Sequence, residues 1–344
     1  MTMFLPTFII SIVLAVMISP FVIRLAKRFN IVDQPDAKRK LHKQPIPLMG
    51  GLVLFLSLSI SFFINRYVFD WTLSATEGRL LSALFFASLV LLFGGIIDDK
   101  LSLKPWQQIS VSFLAVIIMI FSGLRIEYVT NPLGGIFYLP ATWLSVSLVF
   151  VWLLGMTYTT KLLDGIDGLA TGITVIGAVY LFFVSLVWDR PQSITPELIL
   201  IFVGACLGFL LWNFSPAKIF LGESGSTILG FWLGVLSIIS GAKIATALVV
   251  MAVPIVDVIL VIIQRMIKKQ SPFSHADRKH LHFRLVDAGF STKKVAVTLY
   301  LIAIIAGSLA LILGTVGKML LFITLSLVTI IMVVYLIKKY EKAT

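Results

Sequence analysis

Eleven times along its 344 residues the chain runs through mostly apolar sequence with few charges. Each run is about 20 residues, the length a helix needs to cross the hydrocarbon of a bilayer. Hydrocarbon offers no hydrogen bonds, so a backbone inside it must satisfy its own N–H and C=O groups. Runs of this length and number therefore predict an all-α polytopic membrane protein. The spans are read as 4–23, 49–65, 80–97, 106–123, 141–160, 169–188, 197–213, 225–241, 245–266, 296–313 and 319–337. Only 13% of the residues are charged and 59% are hydrophobic, whereas ordinary soluble domains carry about a quarter charged residues. One integral-membrane domain over 1–344 is expected. The first run has no basic leader and no small-residue cleavage site, so it is expected to be retained as a span. Cys206 lies inside an apolar run and is expected to be a packed thiol.

The net charge is +12. No basic helix or aromatic platform of the kind that binds nucleic acid accompanies it, so loops facing anionic lipid and anionic substrates account for it better. Placing the N-terminus outside puts every Lys and Arg on the inner side except Arg66, Arg79, Arg125, Arg190, Lys243 and Lys318. The positive-inside rule selects this orientation, with the C-terminus in the cytoplasm. The same choice gathers the polar segments RKLHKQPIPLMGG, GGIIDDKLSLKPWQQ, TTKLLDGIDGLATG, NFSPAKIFLGESGS and SPFSHADRKHLHFRL on the cytoplasmic side. An active-site cleft is expected there. The outer loops are nearly bare, and NPLGGIFYLP reads as a turn-rich hairpin.

Asp98 and Asp99 follow directly on an apolar span, where adjacent carboxylates are costly and a helix C-terminus disfavours them. They read either as solvated acids beside Lys100 or as a base or cation ligand at the membrane surface. Asp164 and Asp167 are three apart and share a face if helical. Gly165, Gly168 and Gly172 beside them permit close backbone approach. In LGESGS, the amides around Gly222, Gly225 and Ser226 could hold a phosphate at a helix start; Ser224 or Ser226 could equally be a plain N-cap. Glu223 carries metal or charge potential. His275, Asp277, His280, His282 and Arg284 crowd one loop. Without thiolates and among basic residues, they suit a diphosphate better than zinc. Asp257 reads equally as a helix-packing acid or as a direct participant.

These segments, in this order, resemble the polyprenyl-phosphate N-acetylhexosamine-1-phosphate transferases of glycosyltransferase family 4. The histidine loop is more similar to the N-acetylglucosamine-type branch than to the phospho-MurNAc-pentapeptide translocase. The resemblance covers about residues 1 to 310 and implies a reaction. A lipid phosphate, most simply undecaprenyl phosphate, attacks the β-phosphorus of a UDP-N-acetylhexosamine, and UMP leaves. That is the first membrane step of a cell-envelope glycan. It implies that Asp98 or Asp99 orients or deprotonates the lipid phosphate. It implies that Asp164, Asp167 and Asn213, with Phe220 as a stacking surface, hold the uridine. His280, His282, Arg284 and Lys104 would clamp the diphosphate and sugar. A homodimer is compatible with the resemblance. A transporter, which would use buried acids as an ion path, and an inactive relative that binds UDP-sugar are the alternative readings.

Two positions depart from the family pattern. Lys161 stands where the family has the second asparagine of its Asn-x-x-Asn-x-x-Asp-Gly run, and Glu223 replaces the aspartate of Gly-Asp-x-Gly-Ser. Both positions serve the family's magnesium ion. A protonated lysine has no lone pair to offer a metal. Three readings stay open at this stage. The Lys161 ammonium could replace the ion, with the longer Glu223 reaching over to pair with it. Mg²⁺ could still be held by Glu223 with Asp98 or Asp99 while Lys161 snorkels away. The enzyme could be disabled. Phe283 also stands where many relatives carry a further histidine.

Overall fold

A computed structural model describes residues 4–35, 44–131, 134–188, 193–240, 244–269 and 278–340. His275 and Asp277 lie outside the described residues. The described chain is almost entirely helical. In order, the helices are α1 (Phe4–Arg28), α2 (Gly50–Val68), α3 (Ala75–Leu101), α4 (Pro105–Phe121), α5 (Thr142–Leu163), α6 (Leu169–Trp188), α7 (Thr195–Asn213), α8 (Gly222–Ile239), α9 (Ile244–Val250), α10 (Ala252–Ile267), α11 (Leu281–Asp287), α12 (Thr292–Ile312) and α13 (Thr315–Tyr340). Among the described residues, nine helices are long and apolar enough to cross a membrane. The expected span at 106–123 is the shorter apolar helix α4, which begins on Pro105.

The expected single span at 245–266 needs a correction. It is two helices, α9 and α10, bent by 73° around Met251. The cause is in the sequence. Pro254 has no N–H for the carbonyl four residues back, and its ring crowds that carbonyl. That residue is Val250, the last of α9.

α8 is the axis of the bundle. Its spanning part is 89% buried, against 17% for α13. It packs against α2, α3, α5 and α6, and Trp232 stacks on Phe202 and donates to Ser88. Polar cross-links fix neighbouring helices in register: Thr7 bonds Asn65 and Ser11 bonds Ser61 between α1 and α2. Such bonds hold helices where lipid supplies no hydrophobic drive. Cys206 is free and fully buried. The NPLGGIFYLP hairpin forms as β3 (Tyr128–Thr130) and β4 (Ile136–Tyr138), with Val129 opposite Phe137. Its exposed Val129, Ile136, Phe137 and Tyr138 suit a membrane–water boundary.

Candidate active site

At one end of the bundle meet the C-terminal ends of α3 and α5, the N-terminal ends of α2, α4, α6 and α8, and α11. Main-chain bonds stitch the approach. Phe220 N–H donates to the Pro47 carbonyl, and Gly50 and Gly51 N–H donate to Phe220 and Leu221. The PIPLMGG segment is therefore a backbone brace for the start of α8.

Where α3 ends, Ser102 adopts a left-handed turn and its N–H returns to the Asp98 carbonyl. That turn aims α4 back at α3. Asp98 Oδ1 accepts from Leu103 N–H at 2.7 Å and from Gln108 Nε2 at 2.9 Å. Gln108 Oε1 in turn accepts from Lys161 Nζ at 2.8 Å. Lys161 Nζ also lies 2.6 Å from Glu223 Oε1, and both side chains are about five-sixths buried. Helix ends favour this pairing. Lys161 is in the last turn of α5 and Glu223 in the first turn of α8, where the dipoles stabilise a cation and an anion respectively. Thr160 donates to the Ser226 carbonyl at 2.8 Å and fixes the register of the two helices. Asp99 Oδ1 accepts from Glu223 N–H at 2.9 Å. Its Oδ2 is buried with no partner among the described residues. Gly222 is left-handed, and a Cβ there would meet Asp99 Oδ2 and the Leu48 carbonyl, so only glycine fits.

The DGIDG turn follows α5. Asp164 caps that helix. Burial, then the charges of Asp167 and Glu223, push its carboxyl up to about 8. Asp167 Oδ2 accepts from Ala217 N–H at 3.1 Å. Asn213 is buried with both ends of its amide engaged: Oδ1 accepts from Thr171 and Nδ2 donates to Ile219. It braces the loop between α7 and α8. Phe220 is half-buried at the end of that loop. Tyr300 of α12 donates to the Gly168 carbonyl at 2.5 Å and clamps the turn from the other side.

Gly165 joins this turn to the histidines. A Cβ on it would fall against His282 Nε2 and within 2.7 Å of the Phe283 ring. His282 stacks on His280 at 5.8 Å between ring centres. His280, at the start of α11, meets Asp257 of α10 through Nδ1 at 2.8 Å, and the other Asp257 oxygen accepts from Leu281 N–H at 2.8 Å. Both imidazoles are buried, and both Nε2 atoms lack a partner among the described residues. Burial, then His280 and Arg278, hold His282 down at about 3. It therefore enters the site as a neutral hydrogen-bonding group. Arg284 donates through Nε to the Lys279 carbonyl at 2.6 Å. Lys104 stands exposed at the start of α4. An apolar cavity beside the α9–α10 bend is lined by Val250, Pro254, Leu299 and Ala303, with Asp257 and His282 also in its wall.

Contacts thus run from Asp98 through Gln108 to Lys161 and Glu223. The Lys161 carbonyl accepts from Asp164 N–H at 3.4 Å, and Gly165, next in the chain, lies against His282, which stacks on His280 and so leads to Asp257. Gln108 and Tyr300 are the members that sequence reasoning missed. Gln108 was detectable only as a polar residue in the first turn of a helix that Pro105 starts beside the two aspartates.

The chain is similar to known proteins. The family model for glycosyl transferase family 4 matches residues 81–241. A Bacillus subtilis (strain 168) protein named "Probable undecaprenyl-phosphate N-acetylglucosaminyl 1-phosphate transferase" is 32% identical over 313 residues, 89% of this chain and 84% of that protein. The decaprenyl-phosphate N-acetylglucosaminephosphotransferase of Mycobacterium tuberculosis (strain ATCC 25618 / H37Rv) is 31% identical over 301 residues, 80% of this chain and 74% of its own length. The undecaprenyl-phosphate alpha-N-acetylglucosaminyl 1-phosphate transferase of Escherichia coli (strain K12) is 26% identical over 312 residues, 84% and 78% of the two chains.

Proposed function

The chain belongs to glycosyl transferase family 4, and from that premise we propose that it moves a HexNAc-1-phosphate, GlcNAc-1-phosphate in the first instance, from a UDP-sugar to a polyprenyl phosphate such as undecaprenyl phosphate. An oxygen of the lipid phosphate forms a bond to the β-phosphorus. The bond from that phosphorus to the bridging oxygen breaks, and its electron pair leaves with UMP. The products are UMP and a polyprenyl diphospho-sugar. Phosphoryl transfer of this kind asks a protein chiefly for positioning and for compensation of negative charge.

Asp98 and Asp99 are each engaged on Oδ1, and Asp99 Oδ2 is buried without a partner among the described residues. One of the two carboxylates would orient the lipid phosphate or take its proton. The cavity at the α9–α10 bend is lined mostly by apolar side chains together with Asp257 and His282, a mixed lining compatible with a lipid acceptor's approach to the site. Asp164, Asp167 and Phe220 would face the uridine, Asn213 would brace that face, and the imidazoles and Arg284 would meet the sugar diphosphate. A Lys- and Arg-rich site end supports a cytoplasmic location for the site and C-terminus, with the N-terminus outside.

The observation that carries this reading is the chain of contacts joining the paired carboxylates to the two imidazoles at one end of the bundle. The test is UMP release by the full chain in detergent with undecaprenyl phosphate and a panel of UDP-HexNAc sugars. UMP release that depends on the lipid is expected. No lipid-dependent UMP from any sugar overturns the reading.

A further inference from the structure

The resemblance to the family implies a magnesium ion, and the residues present do not fit one. Lys161 carries no lone pair. Its Nζ sits against Glu223 Oε1 and neutralises the carboxylate whose charge would otherwise draw a cation. Asp98 Oδ1 is committed to Leu103 and Gln108, and Asp99 Oδ1 to the Glu223 amide. The one carboxylate oxygen here that is buried without a partner, Asp99 Oδ2, lies against Gly222 and the Leu48 carbonyl. Among the described residues, no three His, Cys, Asp or Glu side chains gather as a metal-binding group.

We propose that in this chain the Lys161 ammonium, oriented by Glu223 and Gln108, is the cation that meets the sugar diphosphate, and that transfer proceeds without a divalent metal. The proposal rests on the reaction proposed above and concerns how that site compensates charge. An ammonium has three donors. Two are spent on Glu223 and Gln108, which leaves the third for a phosphate oxygen. Lysine binds phosphate as a point charge, without the bidentate geometry of arginine. It delivers one charge where magnesium delivers two, so position has to carry more of the effect. The structure supplies that position. The Thr160–Ser226 bond fixes the helix register, the Tyr158 ring lies 5.2 Å from Nζ, and Gln108 ties the ammonium to Asp98. A group held in this way needs little reorganisation as charge develops on the diphosphate.

Three arms test the proposal on the full chain. In the first, protein freed of metal by EDTA is assayed for UMP release from UDP-GlcNAc and undecaprenyl phosphate. Activity undiminished by chelator is expected, and activity lost in EDTA and restored by Mg²⁺ overturns the proposal. In the second, Mn²⁺ binding is followed by electron paramagnetic resonance without substrate. The native chain should hold no Mn²⁺ at this site, while the Lys161→Asn/Glu223→Asp variant should hold one. Mn²⁺ held by the native chain and released on Glu223→Gln overturns it. In the third, Lys161→Met should lower transfer by roughly 10²–10³-fold, the scale for removing one preorganised donor, in EDTA and Mg²⁺ alike. Lys161→Met with activity near native overturns it. A native chain inactive with and without metal refutes the reaction reading, and the Mn²⁺ arm still decides the metal question. Should the double variant fail to fold, the native-chain measurements decide it.

Discussion

The two ends of the candidate site are finished to different degrees. Around Lys161 the charged groups are largely matched: ammonium to carboxylate, amide to carboxylate, backbone N–H to carboxylate. Around His280 the matching stops halfway. Asp257 takes one ring nitrogen, and the Nε2 atoms of His280 and His282 are buried with no partner among the described residues. An unsatisfied buried polar atom costs about 1–3 kcal/mol. A fold tolerates that where a ligand supplies the missing partner. The matched end holds charge in place, and on the proposed function the half-matched end is where the substrate's oxygens would supply the missing partners.

The sharpest way to break this contrast is to unmatch the matched end. Lys161→Met or Glu223→Gln alone leaves one buried charge uncompensated and should destabilise by about 3–5 kcal/mol, whereas the two together should cost far less. Thermal unfolding in detergent across this double-mutant cycle measures the coupling. Additive effects would mean that the pair holds nothing.

Next in size is the other end. Asp257→Asn keeps an oxygen for the Leu281 amide, but its NH₂ would turn the His280 proton from Nδ1 to Nε2. We expect kcat to fall roughly hundredfold, with KM little changed and the pH–rate profile altered, as befits mispositioned acid–base chemistry. A fall in stability with an unchanged pH profile would mark Asp257 as a packing residue.

A smaller effect tests the joint between the ends. Gly165→Ala drives a methyl group into His282 and Phe283 and should cost about 1–3 kcal/mol, the range for overpacking. Gly155→Ala, inside α5 with nothing within 4 Å of the new Cβ, should be neutral or slightly stabilising. Equal outcomes would mean that the joint is loose.

The last tests are in pH. Asp164 holds its proton up to about 8 in the folded chain against an ordinary value of 3.8. Its contribution is therefore greatest at low pH and is lost as pH rises toward 8. His282 titrates at about 3 when folded against 6.5, so stability falls as pH drops from about 6.5 toward 3. Unfolding temperatures against pH should lose the first slope in Asp164→Asn and the second in His282→Gln. A slope that survives its substitution belongs to another group.

Much of this was legible in the sequence because ionisable residues beside apolar runs are costly and so stand out. Asp98, Asp164, Glu223 and His280 announced themselves that way, and the substitutions at 161 and 223 suggested each other as partners. Uncharged partners give no such signal. Gln108 is one polar residue among several in KPWQQ, and its place between Asp98 and Lys161 follows from the left-handed turn at Ser102. The pairing of Asp257 with His280 depends on the α9–α10 bend. Pro254 marks that bend, but the apolar run passes over it unbroken and reads as one crossing.

The central helix α8 has a consequence for how the protein is made. It is the least apolar of the nine spanning helices and the best enclosed, so on its own it is a poor guest of lipid. Its main neighbours, α2, α3, α5 and α6, all precede it in the chain. A ribosome thus delivers the shelter before the helix that needs it. Glu223 can find Lys161 while the last third of the polypeptide is still being synthesised, and a chain interrupted after α8 should already hold its ion pair.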